Sequence, residues 1–246
     1  MLLITTAIAD ELKTAMHLCR DPERIHHHGI RLYKAELKGK PVFFLKTGVG
    51  PEKAASSLEK ALEHIAPERI LVIGYAGGLD PDLRLGHIVG INRALEFRFD
   101  ADHPDWEHLC VEGIYQLTGS EAISRAAAAA GLTAVTGDIL TSGYVLGDPV
   151  HKDVLYRRFN ASVVDMETAA LARVAISRSI PLSCVRVVSD EAQDAFLLPF
   201  SNIPLTRIST RARELLKTGM AQMYLEWKDR TLIASECLRR FLPSYL

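Results

Sequence analysis

Carboxylic acids stand at the ends of three apolar runs, and they are the residues best suited to chemistry. Asp10-Glu11 follows Leu2–Ile8, Asp165-Met166-Glu167 follows Ser162–Val164, and Ser189-Asp190 closes Leu182–Val188, with Arg186 inside that last run. A carboxyl group in a pocket can give or take a proton, and an ionised one can accept two neighbouring hydroxyl donors at once. Taken singly, each acid has a plainer use. Ser189-Asp190 suits a helix cap, while Asp10-Glu11 and Glu167 suit the acidic first turn that a helix dipole favours. Two glycine clusters, Thr47-Gly48-Val49-Gly50 and Gly74-Tyr75-Ala76-Gly77-Gly78, interrupt apolar runs in the same way. They let a backbone approach a ligand closely, but neither matches a dinucleotide fingerprint or a phosphate-binding loop.

The elements that must position these residues alternate between short β-branched runs and longer helical patterns. Strands are expected at Leu2–Ile8, Gly29–Leu37, Pro41–Lys46, Ile70–Gly74, Ile88–Leu95, Thr133–Thr141, Ser162–Asp165 and Leu182–Val188. The second and third of these flank Lys38-Gly39-Lys40 as a hairpin. Helices are expected after Asp10, from Pro51 to Ile65 along an Ala55, Leu58, Leu62, Ile65 face, at Glu121–Ala130, Met166–Ser177, Ser209–Trp227 and Thr231–Leu242. Glu96–Leu117 reads as an irregular surface excursion. The pattern predicts an α/β fold: one domain over residues 1–246, a mixed central β-sheet flanked by helices on both faces, and a C-terminal helical extension from about residue 229. In such sheets ligands bind beyond the carboxyl ends of the strands, where all five motifs fall.

In that order, the motifs resemble the nucleoside phosphorylase family, in the branch that includes the methylthioadenosine/S-adenosylhomocysteine nucleosidases. The resemblance spans roughly residues 1–220. It is carried by Gly74–Leu79 (Gly-x-Ala-Gly-Gly-Leu), Val164–Ala170 (Val-Asp-Met-Glu-Thr-Ala-Ala) and Arg186–Asp190 (Arg-Val-Val-Ser-Asp). It implies cleavage of a ribosyl N-glycosidic bond. Such a reaction passes through a ribosyl cation, so the leaving base needs a proton and the sugar needs nearby negative charge. The nucleophile must arrive on the opposite face, a logic shared with two-carboxylate glycosidases.

On this resemblance Asp190 is the acid for the leaving purine, oriented by Ser189. Glu167 accepts the ribose 2′ and 3′ hydroxyls, and Met166 packs under the sugar. Glu11 activates water and Arg186 helps to position it; a one-residue slip would substitute Asp10. Tyr75, Ala76 and Gly77 line the sugar, and Val145 and Leu146 line the base. Tyr75 stands where the nucleosidases usually carry Ser, so its bulk is expected to reshape the pocket. Asp165 stands where that branch usually has Glu. The implied chemistry uses no metal and no organic cofactor. A phosphorylase would take inorganic phosphate as co-substrate. Phosphorylases of the family carry cations after the first strand and before the glycine turn, where this chain has Ala7-Ile8-Ala9-Asp10-Glu11 and Val72. Hydrolysis is therefore favoured, with phosphorolysis (including the adenosylhopane type) and nucleoside binding without catalysis as the alternatives; Arg84, Arg93 and His26–His28 are the cations that loops could still supply.

Composition narrows the remaining classes. With 29 Lys and Arg against 30 Asp and Glu, the chain lacks the basic excess of a nucleic-acid binder. At 48% hydrophobic it is too apolar for a disordered chain, yet no run is long enough to span a bilayer. The apolar N-terminus runs straight into Asp10 and Glu11, as a buried strand would and a signal peptide would not. The four cysteines are scattered, with no metal spacing, which suits reduced thiols in the cytoplasm. His26-His27-His28 reads as a solvent-exposed loop and not a metal site. A small-molecule nucleoside is the expected partner, with no nucleic acid and no membrane. A homo-oligomer is expected too, most simply a dimer, because family pockets borrow side chains from a neighbouring subunit.

Overall fold

The computed structural model describes residues 1–25, 29–98, 109–195 and 221–246, with the side chains at 21, 98 and 221–227 excepted. The first strand, β1 (Leu2–Thr6), leads into helix α1 (Ala9–Met16). Strands β2 (Arg20–Ile25), β3 (Arg31–Leu37) and β4 (Lys40–Lys46) follow, then α2 (Pro51–Leu62). Strands β5 (Arg69–Gly78), β6 (Ile88–Arg98) and β7 (Cys110–Gln116) precede α3 (Ser120–Ala129) and β8 (Ala134–Thr141). The chain continues through α4 (Pro149–Phe159), β9 (Val163–Asp165), α5 (Thr168–Ser177) and β10 (Leu182–Asp190), and ends in α6 (Ala221–Tyr245).

All ten described strands belong to one mixed sheet, and β5 is its hub. It pairs in parallel with β10 on one side and with β1 on the other, and near its end Gly77 and Gly78 pair antiparallel with Val164 and Val163 of β9. The path β5–β10–β6–β8–β9 then returns to β5, so part of the sheet closes on itself. That closure gathers the carboxyl ends of β5, β8, β9 and β10 around one space. Strand β1, parallel to β5, delivers α1 to the same end.

Apolar side chains from alternate strand positions fill both faces of the sheet. Ala54, Leu58 and Ala61 of α2 pack with Ala169, Ala172 and Ala175 of α5 on one face. Leu12 and Ala15 of α1, Ile123 of α3, and Leu238 and Phe241 of α6 fill the other. Burial of side chains such as Leu238 and Phe241, each 0% exposed, contributes about 1.5–3 kcal/mol apiece. The last helix is therefore anchored on its own chain. On the same helix Leu232 is exposed and Leu242 is buried.

Four local expectations change. Glu96–Leu117 contains β7, paired with β6; its residues alternate between exposed and half-buried, so no apolar run marked it. A single helix crosses Lys228-Asp229-Arg230, where a break between two helices was expected; residues 209–220 of the first expected helix lie outside the described residues. Strand β2, with its Pro22, is an edge strand, where a missing N–H donor is tolerated. Helix α4 was not anticipated at all. Its apolar and polar residues do not sort by face: Val150 is exposed while Lys152 is fully buried. Its start is nonetheless written in the sequence, because Asp148 accepts the Val150 N–H at 2.9 Å and Pro149 occupies the first turn.

Candidate active site

A cavity of about 180 Å³ opens where these strand ends meet. Its wall carries Glu11, Asp165, Glu167 and Asp190, and among the described lining residues there is no Lys, Arg or His. Eleven residues given a site role in the sequence lie on or beside it: Glu11, Glu167, Asp190, Met166, Tyr75, Ala76, Gly77, Val145, Leu146 and Ser189 line the wall, and Arg186 sits behind it. His26–His28 and residues 99–108 and 196–220 lie outside the described residues.

Glu11 is the third residue of α1, where a Glu can reach back to its own helix start. Its Oε2 accepts the N–H groups of Ala7 (2.8 Å) and Ile8 (3.0 Å), and its Oε1 accepts that of Tyr75 (3.0 Å). Asp10 points outward and is exposed, so the geometry separates the two neighbours. Burial raises the Glu11 pKa above its ordinary value, overriding Arg186 and the three backbone donors. A buried carboxylate of raised basicity, fixed on three N–H groups, is well suited to take a proton from water.

Arg186 anchors the acids from below. Its Nη2 donates to Asp165 Oδ2 and to Thr168 Oγ1 (2.8 Å), and lies 3.9 Å from Glu167 Oε2. Burial opposes its charge more than any one neighbour supports it, but Asp165, Cys184, Glu167 and Glu11 together outweigh burial and its pKa rises. Asp165 is saturated by these bonds, by the Thr168 N–H (2.9 Å) and by Thr141 Oγ1 (2.7 Å). It therefore holds Arg186 and the start of α5 in place. Glu167 remains available to a ligand: among the described residues its Oε1 accepts only the Gly50 N–H, at 3.0 Å. Gly50 has a φ of 102°, a conformation that side chains resist, and this turn aims its N–H at Glu167. Burial, and then the neighbouring Asp165, push the Glu167 pKa up to about 8. One buried guanidinium thus faces three carboxyl groups, a concentration of acids suited to a developing cation.

Gly74 explains how the cluster fits together. A Cβ there would lie 2.3 Å from Arg186 Nη1 and 2.5 Å from Glu11 Oε1, so only glycine permits the approach. Tyr75, next in the strand, sends its ring to the opposite face, into the cluster of Leu12, Ile73 and Leu238. Its hydroxyl lies beside Thr14 and Ser235 without a well-formed hydrogen bond, and burial pushes its pKa up to about 12. The expected reshaping of the pocket by Tyr75 is thus limited by strand alternation. Tyr75 offers the site its backbone N–H and a margin of its ring.

The opposite end of the cavity is built differently. Asp190 ends β10, paired with Gly77, and no helix begins there for Ser189-Asp190 to cap. Ser189 Oγ lies 2.9 Å from Asp190 Oδ1 and 3.2 Å from the Ala76 carbonyl, able to donate to one at a time. Lys152 Nζ donates to Asp190 Oδ2 at 2.5 Å and to the Glu191 carbonyl at 2.9 Å. Sequence reasoning missed Lys152, together with the anchoring role of Asp165. The Asp148-Pro149 helix start was the signal that could have placed Lys152 on α4. Among the described residues no cluster of His, Cys, Asp and Glu is arranged to hold a metal ion, and no helix is long and apolar enough to cross a membrane.

Comparison with known proteins agrees with this architecture. Residues 2–217 match the family model of the Phosphorylase superfamily, so the match ends just before α6. A 5′-methylthioadenosine/S-adenosylhomocysteine nucleosidase from Geobacillus kaustophilus is 31% identical over 202 residues, covering 79% of this chain and 86% of the relative. Among solved structures, the nucleosidase of that name from Neisseria meningitidis, in complex with methylthio-immucillin-A, superposes with a TM-score of 0.77 at 18% identity, covering 99% of this chain and 97% of the other. Futalosine hydrolase of Helicobacter pylori gives 0.75 at 18% identity, covering 99% and 96%. At these identities the two structures speak for the fold.

Proposed function

The chain belongs to the phosphorylase superfamily, and from that membership and the charge of its cavity we propose that it is a nucleosidase, hydrolysing the N-glycosidic bond of a purine ribonucleoside or its 5′-modified form. The observation that carries this reading is the cavity wall, with its four carboxylates and no Lys, Arg or His among the described lining residues. Phosphate there would face Glu11 and Glu167, while Arg186 is already committed to Asp165. Water carries no charge to repel.

In this mechanism Glu11 takes a proton from water as the water oxygen attacks the anomeric carbon. The C–N bond breaks and its electron pair leaves with the base, which receives a proton from the Asp190 side. Glu167 holds the ribose hydroxyls, and the acids gathered at this end, Glu11 and Asp165 among them, suit the developing ribosyl cation. Met166 lies under the sugar, and Val145 and Leu146 flank the base. Neither a metal nor an organic cofactor enters these steps. We take the working form to be a cytoplasmic homodimer. The four free thiols, Cys19, Cys110, Cys184 and Cys237, suit a reducing compartment.

The test is chromatographic detection of free base from a panel of methylthioadenosine, S-adenosylhomocysteine, adenosine, inosine and futalosine, with and without phosphate. Release without phosphate is the expected result. Release only with phosphate, with a ribose-1-phosphate product, makes the protein a phosphorylase. Thermal stabilisation by nucleosides with no release makes it a binding protein.

A further inference from the structure

Lys152 presents an arrangement that burial alone does not produce. Within one turn of α4 it is 0% exposed while Val150 stands 68% exposed, the reverse of what hydrophobicity dictates. A buried ammonium is costly unless paired, and Lys152 is paired with the one acid at the leaving-group end. As an ion pair, the proton that the base will need sits on Lys152, while Asp190 is a carboxylate accepting from Lys152 at Oδ2 and from Ser189 at Oδ1.

Resting on the nucleosidase reading, we propose that Lys152 is the proton-holding partner of Asp190, a positioning residue that charges the acid from behind. As the C–N bond breaks, electron density moves onto the base. A proton passes from Lys152 Nζ to Asp190 Oδ2, and the carboxyl delivers it to the base nitrogen. Ser189 turns its hydrogen from Asp190 Oδ1 to the Ala76 carbonyl and so releases the acid. Lys152 is left neutral and Glu11 holds the proton taken from water. Return of that proton to Lys152 through solvent restores the resting charges, so the cycle consumes water alone. Lys152 does not line the cavity, and its action on the substrate runs through Asp190.

A pair of substrates separates this role from a structural one. A purine nucleoside needs its leaving group protonated, whereas para-nitrophenyl β-ribofuranoside releases a stable phenolate that does not. Lys152→Met, which keeps the length and packing of the side chain, is expected to lose about 100-fold or more in kcat on the purine nucleoside. It should stay within about threefold of wild type on the nitrophenyl riboside, a rate that also shows that the site has folded. Lys152→Arg should recover part of the purine activity. Equal losses on both substrates mean that Lys152 only holds the structure, and no loss on either means that it has no role. A wild-type protein inert toward both substrates removes the nucleosidase reading itself, and this proposal with it.

Discussion

The two ends of the cavity solve opposite electrostatic problems. At the sugar end one guanidinium, Arg186, is surrounded by Asp165, Glu167 and Glu11, so acids outnumber cations. At the base end one ammonium meets one carboxylate, Lys152 with Asp190, and charge is balanced. A ribosyl cation grows at the first and an electron-rich base at the second. An excess of acids over cations suits the former, and a pair that can pass on a proton serves the latter. The structural means differ as well. The sugar end depends on glycines that let backbone and side chains crowd together, whereas the base end depends on a helix that buries a lysine.

The largest expected effects separate the two ends outright. Asp190→Asn and Glu11→Gln should each lower kcat on a purine nucleoside by about 10²–10⁴-fold. On para-nitrophenyl riboside only Glu11→Gln should remain slow, because that leaving group needs no acid. If Asp190→Asn is equally slow on both substrates, the division of labour between the ends is wrong. Next comes Gly74→Ala. The added methyl has to displace Arg186 or Glu11, and overpacking of this kind costs about 1–3 kcal/mol in stability. Misplacement of the base should also cost activity of about 100-fold. A variant with normal kcat would show that the close approach is dispensable.

Glu167→Gln sharpens the comparison at a smaller scale. A hydrogen bond to a charged group is worth about 1.5–3 kcal/mol, so turnover on the ribonucleoside should fall about tenfold to a hundredfold. A 2′-deoxy substrate should lose less, and equal losses would mean that Glu167 does not read that hydroxyl. The same variant tests the crowded charge through stability. With its pKa raised from 4.5 to about 8, Glu167 binds its proton more tightly in the folded state. Its contribution is therefore fully present below about pH 4.5 and is lost as pH rises toward about 8. Glutamine does not titrate. The Tm of Glu167→Gln relative to wild type should climb between about pH 5 and pH 8.5, by about 2–4 °C for each kcal/mol. A pH-independent difference would contradict the charge account. Asp10→Asn, at an exposed position beside Glu11, should change activity by less than about twofold, its helix-dipole contribution being only about 0.3–1 kcal/mol.

The sugar end was far more legible in the sequence than the base end. Its acids sit at strand ends beside glycines, and the alternation of β1, β5 and β10 fixes which side chains meet. Even the choice between Asp10 and Glu11 turns on a helical position. Asp165, by contrast, gives little sign in sequence that its oxygens are used up, since beyond the nearby Thr168 its partners Thr141 and Arg186 lie 24 and 21 residues away in the chain. Lys152 was hidden for a sharper reason. Burial patterns identify helices by apolar faces, and α4 violates that rule at the very position that matters. Tyr75 shows the converse: its size was visible, but its direction followed from strand alternation that the glycine cluster obscured.

The most direct test of the central claim, that the acid-walled cavity delivers water and not phosphate to the sugar, is turnover of a cleaved nucleoside in oxygen-18 water with inorganic phosphate present. The sugar product is then analysed by mass spectrometry. The expected result is free sugar carrying the heavy oxygen, at a rate that phosphate does not change and that Glu11→Gln abolishes. Unlabelled sugar phosphate would contradict it and would mean that the cavity holds the anion its four carboxylates should repel.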